Sequence, residues 1–393
     1  MIPRGVALAG VLLTSLLFAA CSSSPSGSGP AGGIAVAEAM GGGGAEGFAR
    51  ATEPRDFVFP DDHGPHNDFR TEWWYFTGNL EGEAGEEFGF QLTLFRHALA
   101  PSAPARNSRW GARDVWFAHF ALGDGKRGRF FAFERFERGA QGLAGARARP
   151  FVAWVGDWRA ESIDGIETFP MRLVADAGDV AMDLVVELNK PIVLQGDRGL
   201  SQKGPGDGNA SFYYSLTRLG ASGSITVRGE THPVKGTAWL DREWSTSALS
   251  EGQTGWDWFA IQLDDGRELM LYRLRRADGS VDPHNSGTLV DADGSTLKLG
   301  PTEVRYQPGR EWTSPSSGVA YPVEWRLSIE SLELEFEVTP MLDASELDVS
   351  VRYWEGAIRV RGSEGGRPVA GRGFLEMTGY AERGDPPAAA RAD

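Results

Sequence analysis

The sequence predicts an all-β chain folded as two antiparallel β-barrels in series. Apolar and polar residues alternate with period two over most of the chain beyond residue 56. Turn residues recur at short intervals, and no window of helical length carries an apolar stripe capped at both ends. Phe88, Phe90, Leu92 and Leu94 alternate with Gly89, Gln91 and Thr93; Val323, Trp325, Leu327 and Ile329 alternate with Glu324, Arg326 and Ser328. In Leu332, Leu334, Phe336 and Val338 against Glu333, Glu335 and Glu337, one face suits a core and the other suits water, so these glutamates are solubilising. Asp264-Asp-Gly266, Ala277-Asp-Gly279 and Asp291-Ala-Asp-Gly294 separate such runs as hairpin turns do. Many short strands of this kind make a sandwich or a barrel.

From the N-terminus, Arg4 supplies a short positive region and Val6 to Ala20 is apolar, so residues 1–20 read as an export signal. Leu17-Phe-Ala-Ala-Cys21 looks like a bacterial lipoprotein lipobox, which makes Cys21 the expected lipidation site and the cell envelope the expected location, facing the periplasm or exterior. The plainer reading is a cleaved signal with an incidental cysteine. Residues 21–55, with Gly41-Gly-Gly-Gly44, form the expected tether to that membrane. A first barrel is expected over 56–222 and a second over 223–385, divided near Leu219-Gly-Ala-Ser-Gly223. Gln195 to Asn209, rich in glycine, reads as a long surface loop.

Cys21 is the only cysteine, so a lipidated chain has no thiol for a disulfide, a nucleophile or zinc. The net charge of −15, spread without long blocks of one sign, argues against nucleic acid as a partner. No P-loop, dinucleotide fingerprint, His-Glu-x-x-His or Gly-x-Ser-x-Gly elbow occurs, and no cofactor is implied.

All thirteen tryptophans lie at or beyond Trp73. Packing explains most indoles, but five stand beside acids. Arg70-Thr-Glu-Trp-Trp-Tyr75 sets Glu72 beside Trp73 and Trp74; Asp241, Glu243 and Trp244 share one strand, and Asp257 lies between Trp256 and Trp258. In a strand, Glu72, Trp74 and Phe76 share one face, and Trp73 and Tyr75 share the other. A buried carboxyl needs a partner or a task. As a task, burial raises its pKa and makes a proton donor, while indole faces stabilise a carbocation. Asp241, Glu243, Asp257 and Glu72 are therefore the candidate catalytic acids; the bland alternative pairs them with Arg70, Arg96 or Arg242. His66, Trp73, Trp74, Arg96, His119, Trp244, Trp256, Trp258 and Tyr272 are the candidate ligand-binding residues. His63 and His66 have ligand chemistry, but no third ligand completes a metal pattern, so no metal site is expected.

His63-Gly-Pro-His66, Arg70–Tyr75, Gly78-Asn-Leu80, Phe88–Arg96, Gly236–Trp244, Gly255–Phe259, Tyr353-Trp-Glu-Gly356 and Gly371–Tyr380 resemble the carotenoid hydratase (hydroxyneurosporene synthase) family. That group includes AttH-type and predicted secreted hydrolase relatives. The resemblance implies that both barrels are lipocalin-like, of calycin type. It implies acid-initiated hydration or cyclisation of a carbon–carbon double bond in an apolar, isoprenoid- or lipid-like small molecule. Where those hydratases carry a histidine close to the Trp-x-Trp segment, this chain has Asp257. A non-catalytic carrier of an apolar ligand is the alternative, and a glycosidase using paired carboxylates is another.

Overall fold

A computed structural model describes residues 44–102, 108, 110–247 and 249–380; Cys21, the signal-like segment and the tether up to residue 43 lie outside the described residues. The first sheet contains β1 (Thr71–Gly82), β2 (Glu87–Ala98), β3 (Asp114–Asp124), β4 (Arg129–Arg138), β5 (Ala144–Ala148), β6 (Phe151–Val155) and β7 (Trp158–Ser162). It continues with β8 (Met171–Asp176), β9 (Val180–Leu188), β10 (Val193–Leu194), β11 (Leu200–Gln202), β12 (Ala210–Val227) and β13 (Glu230–Ser245). The remaining strands are β14 (Gln253–Leu263), β15 (Glu268–Arg276), β16 (Ser286–Val290), β17 (Thr296–Leu299), β18 (Val304–Pro308) and β19 (Glu311–Thr313). They end with β20 (Ala320–Pro322), β21 (Trp325–Ile329), β22 (Leu334–Pro340), β23 (Glu346–Leu347), β24 (Tyr353–Glu364) and β25 (Arg367–Thr378).

The first sheet runs β4-β3-β2-β1-β13-β12-β9-β8-β7-β6-β5, and its two edges are consecutive in the chain, so it curls into a nearly closed antiparallel barrel. The second runs β17-β16-β15-β14-β25-β24-β22-β21-β18 and closes the same way; β19 and β20 form a separate ribbon. The two-barrel, all-β architecture is therefore the one that the alternation predicts. Trp74, Phe76, Leu92, Trp158 and Trp244 belong to the first core, and Phe259, Trp325, Phe336, Trp354 and Ile358 to the second. A third apolar cluster (Tyr75, Tyr213, Trp239, Trp258, Met270 and Tyr272 among its members) joins outward faces of the two sheets. Hydrogen bonds from Gln262 Nε2 to the carbonyls of Thr217 and Ala238, at 2.7 and 3.1 Å, help fix the barrels together.

The division expected near residue 220 falls inside β12, which pairs with β13 on one side and β9 on the other across Leu219–Val227. The change of sheet comes between Ser245 and Gln253 instead. Gly223 does not mark a linker: its φ is +149°, and an added Cβ would lie 2.2 Å from the Asp183 carbonyl oxygen. The glycine permits close strand approach. The far end of the expected tether is also structured, since Ala51 is fully buried and Ala49 N–H donates to Asp68 O at 2.9 Å.

Each barrel interior holds one of the expected catalytic acids as a structural anion. Glu72, fully buried, takes hydrogen bonds from Arg96 and Arg242. Burial opposes ionisation there, but the two guanidiniums and the hydrogen bond with His66 hold its carboxyl well below the usual range. His66 stacks on Trp244 at 3.6 Å, and the Arg242 guanidinium lies 3.9 Å from the Trp74 ring. Glu72, His66, Arg96, Trp74 and Trp244 thus form a closed packing unit inside the first barrel, away from the ligand roles expected of them. Asp257 is likewise held by Arg275 at 2.6 Å, Arg273 at 3.1 Å and the Tyr380 hydroxyl at 2.9 Å. Arginine keeps its proton at any pH a protein tolerates, so Glu72 cannot serve as a neutral proton donor, and the oxygens of Asp257 are taken up by its arginines and Tyr380.

Glu72→Gln leaves the buried Arg242 without its counter-charge and Arg96 with Asp114 alone, at 2.9 Å, and about 3–5 kcal/mol of stability should be lost. Chemical denaturation of the purified variant measures this; a loss under 1 kcal/mol would contradict the structural role.

Candidate functional site

Outward-facing residues of both barrels enclose a cavity of about 150 Å³. On the first barrel they fall in transverse rows set by strand register. One row places Tyr213 (β12), Glu243 (β13), Trp73 (β1), Phe95 (β2) and Phe117 (β3) opposite one another. The next, two residues deeper, aligns Ser215, Asp241, Tyr75, Thr93 and His119 on the same strands. The second barrel answers with Glu355 (β24), Glu376 (β25), Trp258 (β14) and Tyr272 (β15) in one row. Trp256 sits at the rim, where a bulge precedes it. Gly255 there has φ +146°, and an added Cβ would lie 2.3 Å from the Thr378 carbonyl oxygen. Only glycine lets β14 enter the sheet in this way, with Trp256 and Trp258 facing the cavity.

Of the candidates from sequence, Asp241, Glu243, Trp73, Trp256, Trp258, His119 and Tyr272 meet at this cavity. Glu72, Asp257, His66, Arg96, Trp74 and Trp244 do not, because each lies on the opposite face of its strand or belongs to the packing inside a barrel.

Asp241 accepts hydrogen bonds from Ser215 Oγ at 2.5 Å, Trp239 Nε1 at 2.7 Å and Tyr213 Oη at 2.6 Å. Trp258 Nε1 in turn donates to Tyr213 Oη at 3.3 Å, which leaves the phenol proton for Asp241. Burial raises Asp241, the three donors oppose the rise and the charge of Glu243 adds to it, which together leave its pKa at about 7. Glu376 lies higher still, at about 8, through burial and the charges of Asp241 and Glu243, against a hydrogen bond with Trp256. Its partly exposed surface faces the cavity, which screens it less than bulk water does. Behind it, Glu355 is fully buried; Tyr75 Oη donates to its Oε1 at 2.5 Å, and its Oε2 has no protein partner among the described residues. Burial and the facing Glu376 raise the Glu355 pKa well above the usual carboxyl range.

Lys203 Nζ lies 3.2 Å from Glu243 and 4.3 Å from the Tyr272 ring centroid. Burial disfavours its charge, but Glu243, Tyr272 and Asp241 outweigh that and raise its pKa. His119 has its pKa lowered by burial to about 3 and is therefore neutral. Its Nδ1 lies 2.7 Å from Tyr353 Oη, which accepts a hydrogen bond from Gln91 Nε2 at 3.3 Å. The Tyr353 proton thus goes to Nδ1, and Nε2–H is left as a donor without a protein partner among the described residues.

Sequence reasoning missed Glu376, Glu355, Tyr213 and Lys203. Glu376 and Glu355 lie in segments that carried the resemblance, each acid set between core residues such as Leu375 and Met377 or Trp354. That pattern was the available signal. Lys203 comes from the stretch expected to be a surface loop, where Gln195 is also fully buried and donates to Ser215 Oγ at 2.9 Å.

Fold and site together define a double lipocalin-like barrel with an aromatic, acid-bearing cavity between its halves. The chain belongs to the AttH-like family, whose model matches residues 50–380. It is 23% identical over 230 residues to kievitone hydratase of Fusarium solani subsp. phaseoli, a match spanning 57% of this chain and 64% of that protein. Among solved structures, an AttH-type protein of Nitrosomonas europaea aligns with TM-score 0.74 and 37% identity over 85% of this chain and 99% of that one. Kievitone hydratase of Nectria haematococca shares the fold, with TM-score 0.65 and 17% identity over 84% and 97% of the two chains.

A buried carboxyl that stays neutral in the folded state binds a proton that the unfolded chain releases. Its stabilising contribution is complete below the unfolded pKa and is lost as pH rises through the folded value. For Glu376 this window runs from its ordinary value of 4.5 to about 8. Glu376→Gln should therefore gain stability relative to the wild type as pH climbs across that window, with the gap constant above it. Melting temperatures of both proteins at several pH values check this, and parallel curves would show an ordinary exposed carboxyl.

Proposed function

We propose that the protein is an acid-initiated hydratase or cyclase acting on a carbon–carbon double bond of an apolar, isoprenoid- or lipid-like molecule. The observation that carries this reading is Glu376, a carboxyl raised to about 8 and set beside indole faces in a cavity that no arginine lines among the described residues. Protonating an isolated alkene is the difficult step, and it calls for a neutral acid at neutral pH. The π electrons of the substrate take the Glu376 proton to form a C–H bond, leaving a carbocation on the neighbouring carbon. The faces of Trp73, Trp256 and Trp258 stabilise that cation by about 2 kcal/mol or more. Water then forms the C–O bond while its proton passes to the Asp241 carboxylate; Asp241 releases that proton to solvent, and solvent returns one to Glu376. In a cyclisation, a second double bond of the same molecule captures the cation, and Asp241 takes the proton then lost. The hydratase named among the relatives supports this chemistry, as does family membership.

Incubation in D₂O with kievitone and with neurosporene as probes tests the reading, because hydration adds water and fixes deuterium on the protonated carbon. Glu376→Gln and Asp241→Asn should each lower turnover about 10²–10⁴-fold with the fold retained. Asp241 acts ionised and Glu376 acts protonated, so the rate should fall below about 7 and above about 8. Probes that bind yet emerge undeuterated and unhydrated would favour the carrier instead.

A lipid on Cys21 would hold the barrels at the cell envelope, a reading supported by the lipobox-like run before it. Cys21→Ala should move the protein out of the detergent phase, and unchanged partitioning would end this part of the proposal.

A further inference from the structure

We infer that the ligand site extends past the cavity wall formed by Phe95 and Phe117 onto a second subsite at Phe136, outside the cavity, which takes the flat, unsaturated remainder of a molecule whose reacting end lies among the acids. This rests on the proposed site, though not on its chemistry. The row that brings Trp73, Phe95 and Phe117 to the cavity continues onto β4, where Phe136 is the register partner of Phe117. Phe95 and Phe117 stack at 4.5 Å with planes 11° apart, and Phe117 and Phe136 at 5.6 Å and 23°. Phe117, covered on both sides by its neighbours in the ladder, is 8% exposed, and Phe136 at the ladder's end is 50% exposed. With strands about 4.8 Å apart, the three steps from Trp73 to Phe136 span roughly 14 Å.

Size makes such a shelf necessary. A cavity of about 150 Å³ is of the kind that holds a benzene-sized guest, so any larger ligand must leave it. Two ways out differ in cost. Toward Lys203 and Glu243 the ligand would strip water from an ion pair, which an apolar chain cannot replace. Toward Phe136 it meets the stacked rings first, with Glu134 and Arg138 flanking Phe136 on the same face of β4. One row deeper on β4, Glu134 accepts the Ser350 N–H at 3.1 Å and pins the segment before β24 there, while Phe136 stays half exposed.

Ring orientation selects the ligand class. Rings stacked face to face across strands stand on edge, so their hydrogen-bearing, electropositive edges point outward. Those edges favour the electron-rich face of a conjugated or aromatic group over a saturated chain.

Two neutral probes separate the subsites: all-trans-retinol, long and conjugated, and geraniol, short and unconjugated. Retinol binding is followed by quenching of tryptophan fluorescence, and geraniol binding by titration calorimetry. Neither needs turnover, so a protein inactive on every substrate tests the shelf as well as an active one. Phe136→Ser, at a half-exposed position, should weaken retinol binding roughly five- to tenfold and leave geraniol binding unchanged. Phe136→Tyr, which keeps the ring, should restore it. The inference is overturned if the wild type does not bind retinol, if Phe136→Ser binds it as the wild type does, or if both probes weaken equally.

Discussion

Where they run between the barrels, the central strands β1, β13, β14 and β25 are buried on both faces, and the rest of the structure depends on that constraint. In an ordinary barrel strand, alternation separates core from solvent. In these four it separates two interiors, the core of the strand's own barrel and the cavity it shares with the other. Glu72, Trp74 and Phe76 point into the first barrel, whereas Trp73 and Tyr75 point out of it. Arg242 and Trp244 are inside, and Asp241 and Glu243 are outside. A slip of one residue would exchange the two sets and put an arginine into the cavity.

That sorting decides how acids of the same chemical type behave. Inside the barrels, Glu72 and Asp257 meet arginines, which never surrender a proton, and both are held in ion pairs. Between the barrels, Asp241 and Glu355 meet phenols, an indole and a serine. Such neutral donors bias a carboxylate without committing it, so burial wins and the pKa values rise. Glu243, with Lys203 at the rim, is the cavity acid that has a cation partner. Its charge helps to keep Glu376 protonated, which gives the ion pair an electrostatic role beyond joining two side chains.

The all-β fold was legible because alternation and turn chemistry are local properties. The importance of acids beside indoles was legible too, but adjacency in sequence grouped residues that a strand turns apart. Glu72 next to Trp73, and Asp257 next to Trp256 and Trp258, point away from those very indoles. Parity separates them; what parity alone cannot supply is which face meets a core and which meets the cavity, since both are apolar. Glu376 and Glu355 needed more, because only the pairing of β24 with β25 sets one against the other. The glycines of β12 and of the Gln195–Asn209 stretch misled for a related reason. They read as freedom, whereas Gly223 serves close packing, and the latter stretch carries Gln195 and Lys203 inward.

Placing the cavity between two cores frees its chemistry from the fold. Trp258, Tyr213 and Tyr272 belong to the cluster between the barrels and not to either core. Each barrel closes on residues of the opposite parity, so a change at a cavity position leaves both cores intact. The acids could therefore be moved, added or lost along a row while the strands that carry them kept their register. The same division accounts for a fold retained at 17% identity, since core positions need only apolar side chains of suitable volume. In such a scaffold the reacting groups are sought among the acids between the barrels that meet no cation among the described residues, which are Asp241, Glu355 and Glu376.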